Sequence, residues 1–266
     1  MPKIASPAPA PATGAPPRSA GRTPIGAPVK IGLGVLLTAV AGYVDAIGYI
    51  ALGGFFASFM SGASISLGVA ISEGHWNAVW DAVFLIAAFL GSATAATVIA
   101  GVTGAWTLPA VLLLEGSLLA GAVLLAATGW PTSVSILPVV AAMSVQNTAL
   151  RPVGGVRLGV TFMTGTLVSL GQGLGAVLLR RRWPWSGSPH ALLWCAFVAG
   201  AAVEASLYAA FGFMTVAGPA ALVAAMAALV SVMVRFENRA QAPADSSGLT
   251  LSKHIAERGS SLGGDR

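Results

Sequence analysis

Three carboxylates stand in stretches that are otherwise apolar: Asp45 in LTAVAGYVDAIGYIAL, Glu115 in LPAVLLLEGSLLAG and Glu204 in FVAGAAVEASLYAA. An acid at the centre of a membrane helix costs roughly 2.5–3.5 kcal/mol on insertion scales. It must be protonated, face a hydrated cavity or meet a partner. No Lys or Arg lies between Lys30 and Arg151, so the distant charge partners available to Asp45 are Arg151 and Arg157. Two roles are open to Asp45: a proton- or cation-coupling group or substrate contact, and a structural anchor between helices. Glu115 and Glu204 are each followed by a small residue and Ser, which permits close helix approach and local hydrogen bonding. For them too, a functional acid and a structural polar contact are both open.

Amides and hydroxyls add a second set of polar groups. Gln146-Asn147 closes the segment AAMSVQNTALRPVGG, and Gln146 stands eight residues before Gly154, as Asp45 stands eight before Gly53. An amide both donates and accepts, so it can line a polar site without titrating, or join two helices. The tetrapeptide Phe-Met-Ser/Thr-Gly occurs twice, as Phe59-Met60-Ser61-Gly62 and Phe162-Met163-Thr164-Gly165. Gly lets the backbone leave the helix, and Ser or Thr hydroxyls satisfy the freed groups. The residues that follow can present a half-helix N-terminus to an anionic ligand, or serve small-residue helix packing. The candidate solute or ion pathway is therefore Asp45, Ser61, Gly62, Glu115, Gln146, Asn147, Thr164, Gly165 and Glu204.

Other chemistries lack their residues. Nucleophilic catalysis needs a base beside the nucleophile, and His75, His190 and His254 all fall in loops or tails. Clustered ligands for a metal are not visible in the sequence, no cofactor is implied, and the chain is not read as an enzyme. Cys195, the single cysteine, lies in an apolar block and is read as a small core residue. The formal charge of +5 does not indicate nucleic acid, because the cations flank apolar segments and no aromatics interleave them.

The elements that must position these groups follow from composition. The 266 residues are 56% hydrophobic and only 9% charged, against about 25% charged in soluble domains. Residues 1–29 hold prolines at 2, 7, 9, 11, 16, 17, 24 and 28 and read as a disordered arm. Residues 237–266 form a polar tail. Between them, residues 30–236 divide into apolar segments at about 31–52, 55–72, 82–102, 108–128, 134–150, 159–179, 190–211 and 213–235, with a kink expected at Gly218-Pro219. Trp76, Trp80, Trp130, Trp183 and Trp185 flank segments, as in an interfacial belt. The fold class is all-α: a polytopic membrane helix bundle of 6–8 transmembrane segments whose partner is the lipid bilayer.

The stretch at 50–71 and the stretch at 151–174 share a Gly-Gly pair, the Phe-Met-Ser/Thr-Gly element and a Leu-Gly, with Met60 and Met163 in register. The bundle therefore reads as a duplicated four-segment unit, about 31–128 and 134–235. If all eight segments cross, the repeats are parallel and Arg151 and Arg157 lie outside. If segments two and six re-enter, six cross, the repeats are inverted and all 14 basic residues lie inside. The positive-inside rule favours the second arrangement; the length of 159–179 favours the first. The reading adopted is eight helical segments with two and six broken or partly re-entrant, in the cell (inner) membrane, with both tails cytoplasmic.

The chain resembles the YoaK-like family of bacterial multi-pass membrane proteins of unknown function. The resemblance rests on Gly42-Tyr43-Val44-Asp45-Ala46, Gly53-Gly54-Phe55 leading into Phe59-Met60-Ser61-Gly62, Met143-Ser144-Val145-Gln146-Asn147 and Thr161-Phe162-Met163-Thr164-Gly165-Thr166-Leu167. Two departures stand out: Ser61 and Ala63 where the family usually has Thr and Asn, and Ser144 where Gly is usual. The resemblance implies a polytopic fold and supplies no activity. On physical grounds the chain reads as a transporter or permease of a small polar solute, proton-coupled through Asp45, with a non-transporting scaffold or sensor as the alternative.

Overall fold

The structure, a computed structural model, describes residues 27–149, 163–180, 188–236 and 239. The elements are α1 (Ala27–Ala51), α2 (Met60–Glu73), α3 (Trp76–Thr103), α4 (Thr107–Ala127), α5 (Thr132–Ser135), α6 (Leu137–Ala149), α7 (Met163–Arg180), α8 (Ser188–Phe211) and α9 (217–236). No strand occurs among the described residues. The helices are apolar nearly all round, the pattern of helices whose outer face meets lipid, and Ile65, Leu90, Val102, Leu124 and Phe211 are exposed on that face. Arg151 and Arg157, most of both tails and the Phe162 half of the second tetrapeptide lie outside the described residues. The first helix begins slightly inside the expected arm, with Pro28 in its first turn, where a missing N–H is tolerated.

Continuous helical stretches long and apolar enough to cross a membrane run over Ile31–Ala51, Trp76–Ala127 and Pro189–Phe236. The second and third are each divided by a 3-10 turn, Gly104–Trp106 and Gly212–Val216. Each turn opens on a glycine with positive φ, Gly104 at 55° and Gly212 at 57°, a conformation that a Cβ disfavours. This corrects the expected break at Gly218-Pro219, which lies in the first turn of α9, where Pro needs no hydrogen bond. By contrast, the 14 residues of α2 extend about 21 Å, short of the roughly 30 Å hydrocarbon layer.

Four helix contacts set the bundle. The tightest is α1 on α8: a Cβ on Gly42 would fall 2.0 Å from the Phe197 carbonyl oxygen, and one on Gly200 would fall 2.0 Å from that of Ala39. Backbone lies directly on backbone there. On the other side α6 packs against both α3 and α4, and the Ser144 hydroxyl donates to the Phe89 carbonyl of α3 at 2.6 Å.

Finally, α4 crosses α9. The Gly116 site faces the Ala224 nitrogen at 3.6 Å and Val223 Cγ1 at 3.7 Å, while the Arg235 guanidinium lies 6.0 Å from the centre of the Trp106 ring. Trp106 precedes Gly116 by about 15 Å of helix, and Arg235 follows Ala224 by about the same length. The two helices therefore run antiparallel. Cys195 is exposed on α8 and is not a core residue as expected; the buried positions around it go to Leu193 and Gly200.

Replacing Gly42 or Gly200 by Ala is expected to destabilise the bundle by about 3 kcal/mol or more, because the new methyl meets backbone that cannot yield. Gly32→Ala, with open space around it, is the matched control. Thermal unfolding of the purified protein in detergent reads the difference.

Candidate functional site

The four buried candidates, Asp45, Glu115, Gln146 and Glu204, come from four helices. Asp45 on α1 is 2% exposed. Its Oδ1 accepts the Ser58 backbone N–H at 2.7 Å and its Oδ2 accepts the Ser58 hydroxyl at 2.5 Å. The chain reaches this point by doubling back along α1 after Gly53-Gly54. A Cβ on Gly48 would fall 2.9 Å from the Ala57 nitrogen, so the returning strand of backbone fits only because that position is glycine. Asp45 thus fixes the chain two residues before α2 begins at Met60. Among the described residues its partner is a local serine, not a cation.

Glu204 on α8 is buried, and its Oε1 accepts the Thr215 hydroxyl at 2.6 Å from the 3-10 turn that follows. While Glu204 Oε2 has no hydrogen-bond partner among the described residues, the Tyr43 hydroxyl of α1 donates to the Thr215 carbonyl at 3.2 Å. A Cβ at Gly218 would lie 3.7 Å from that hydroxyl. Tyr43, Glu204 and Thr215 therefore form one polar node joining α1, α8 and the head of α9.

Gln146 on α6 donates its amide N–H to the Leu37 carbonyl of α1 at 2.7 Å, while its Oε1 has no hydrogen bond. Asn147 donates to the Met143 carbonyl of its own helix at 2.9 Å. Glu115 on α4 differs from all of these: it is wholly buried, and neither carboxylate oxygen has a hydrogen-bond partner. Val145 of α6, Val111 of α4 and Ala96 of α3 share one small buried cluster, with Leu114 and Leu118 of α4 against it.

The repeated tetrapeptides are placed otherwise. Ser61 and Thr164 are exposed, Gly62 is half-buried and Gly165 exposed, while Ala63 and Thr166 are the buried positions of their turns. The candidate pathway residues thus separate into a buried set (Asp45, Glu115, Gln146, Glu204) and an outward set (Ser61, Thr164, Gly165). Arg151 and Arg157 lie outside the described residues. Sequence reasoning missed Ser58, Thr215, Ser144 and Tyr43 as polar partners. A signal existed for Thr215: Phe213-Met214-Thr215 repeats the Phe-Met-Ser/Thr pattern a third time, just after Gly212. Among the described residues, no group of His, Cys, Asp and Glu is placed to hold a metal ion.

A family described as "Protein of unknown function (DUF1275)" matches residues 33–229, the helical body from α1 to α9. The chain belongs to that family. The UPF0700 transmembrane protein YoaK of Bacillus subtilis (strain 168) is 30% identical over 145 residues, 51% of this chain and 63% of that protein. The match thus covers less than two thirds of the relative's length. No solved structure matches the chain. The membership agrees with the resemblance carried by the Gly42–Ala46 and Phe59–Gly62 motifs. The apolar helices and the transmembrane relative make the DUF1275 chain a transmembrane protein of an uncharacterised family.

Ser58→Ala and Thr215→Val are each expected to lower stability by about 1–3 kcal/mol, because each leaves a buried carboxylate oxygen without its hydroxyl donor. Ser61→Ala, at an exposed position, is expected to change stability by less than about 0.5 kcal/mol. Thermal denaturation of the three variants side by side checks the ranking.

Proposed function

We propose that this DUF1275 protein is a transporter of a small polar solute, built from two inverted halves, in the cell membrane with both tails cytoplasmic. The observation that carries the reading is the antiparallel crossing of α4 and α9 at Gly116 and Ala224. These are the last helices of the two halves, and in parallel repeats they would run the same way. Other matches support the inversion. A glycine-led 3-10 turn precedes the last helix of each half. The first helix of each half packs on the third helix of the other, α1 on α8 and α6 on α3.

If α6 and α8 both cross, antiparallel α4 and α9 leave α7 no room to cross as well. The matching α2 is too short to span unaided. Six crossings with α2 and α7 re-entrant put all 14 basic residues on one side, in agreement with the positive-inside rule. Inverted repeats with broken segments are the construction of secondary transporters, whose site lies between the repeats near mid-depth. Asp45 then serves as the pin that turns the chain back into the membrane ahead of α2, and the solute meets the buried set at the interface of the halves.

Proteoliposomes holding the purified protein are expected to take up at least one solute of a broad polar panel with saturable kinetics. Asp45→Leu, which abandons both Ser58 donors, is expected to lower that flux at least about tenfold, and Asp45→Asn much less. Flux no greater than in empty liposomes across the whole panel contradicts the transport reading.

A further inference from the structure

Among the described residues, Glu115 is the buried acid with a hydrogen-bond partner at neither oxygen; Glu204 Oε2 and Gln146 Oε1 are also unmet, but each of those side chains is held at its other end. Asp45 is met by Ser58, Glu204 by Thr215, and Gln146 by the Leu37 carbonyl, whereas both oxygens of Glu115 lack a partner at zero exposure. Leaving an acid unpaired is poor construction if its purpose is to join helices, since an unmet buried polar group works against folding. Among the described residues no cation offsets it. Of the elements packed against α4, α3 carries Asp81, which is exposed, and α9 carries Arg235, which lies by Trp106 about 15 Å of helix away. The α5 and α6 helices and the Gly212–Val216 turn carry no titratable side chain. At zero exposure and without a donor among the described residues, a carboxylate ion there is disfavoured, and the neutral acid is the form that suits this conformation.

Its position is equally particular. Glu115 is next to Gly116, where α4 crosses α9, the point at which the two halves face each other. That crossing is made at ordinary contact distances by small residues, with no hydrogen bond between α4 and α9 among the described residues. It differs from the α1–α8 contact, where backbone is pressed on backbone. An interface without polar locks can shift, and Glu115 is the acid next to that crossing in sequence.

We infer that Glu115 is the proton-carrying site of this protein, occluded as the neutral acid in the present conformation and hydrated when α4 and α9 part. The step is a simple one: an O–H bond forms as the carboxylate takes a proton from water on one side, and the same bond breaks as the proton passes to water on the other. Its use in coupling rests on the transport reading, but the site itself can be tested without any solute.

Dicyclohexylcarbodiimide reacts with protonated carboxyls in apolar surroundings and leaves a stable adduct. Native membranes are treated across a pH series, and the adducts are located by peptide mass spectrometry. The expected result is an adduct on Glu115 that falls as pH rises, by up to about tenfold per unit once the group titrates, with the site silent in folded E115Q. The infrared spectrum of the reconstituted protein is expected to show a protonated-carboxyl carbonyl band that E115Q lacks. Glu115 left unlabelled throughout the series, with that band the same in E115Q, makes it a sealed packing group and overturns the assignment. Labelling of Glu115 in a protein that moves no solute keeps the site and removes the transport reading. Solute flux undiminished in E115Q, with Glu115 unlabelled, does the reverse.

Discussion

Where hydrocarbon takes the place of water, a buried polar atom can be satisfied only by the protein around it, and the arrangement of this bundle follows from how that demand is met. At Asp45 it is met by Ser58, which forces the chain to fold back along α1 before α2 starts. At Glu204 it is met at one oxygen by Thr215, with Tyr43 reaching the same node from α1. Each polar contact also fixes a break in the helical path: one at the Gly53-Gly54 return, the other at the Gly212–Val216 turn. Hydroxyl donors thus stand guard at the places where backbone leaves the helix. At Glu115 neither oxygen is met among the described residues, which makes that acid informative.

The contacts between helices are of two kinds, and the division has mechanical meaning. Gly42 and Gly200 bring α1 and α8 so close that neither can slide without collision. The α4–α9 crossing has room for side chains and no hydrogen bonds among the described residues. A body with one locked seam and one smooth seam yields at the smooth one. Packed interfaces of this sort switch between discrete arrangements rather than deform gradually, which is the behaviour the proposed transport calls for.

Much of this was legible in the residues. The apolar blocks, the Gly-led ends and the cation-free run from Lys30 to Arg151 specify a membrane bundle because lipid constrains composition so strongly. The buried acids were also legible, since charge in an apolar run has few roles. Their partners were not. Ser58 is one serine among many, and only the backbone's return along Gly48 brings it to Asp45. The outward placement of Ser61 and Thr164 was likewise hidden, because the tetrapeptides occupy helix starts whose facing depends on packing rather than pattern. Cys195 was misplaced for the same reason: in a lipid-facing helix, apolar character does not distinguish inside from outside. The choice between parallel and inverted halves could not come from periodicity. It turns on the relative direction of α4 and α9, which the Trp106–Arg235 contact reveals.

The proposed inversion of two halves is tested most directly by the sidedness of the paired 3-10 turns. With Cys195, itself exposed, first replaced by Ala, single cysteines are placed at Ala105 and Met214, one exposed position in each turn, and probed with a membrane-impermeant maleimide on sealed right-side-out and inverted vesicles. Labelling of the two turns from opposite sides is the expected result. Labelling of both from the same side contradicts the inverted arrangement and, with it, the mechanism built on it.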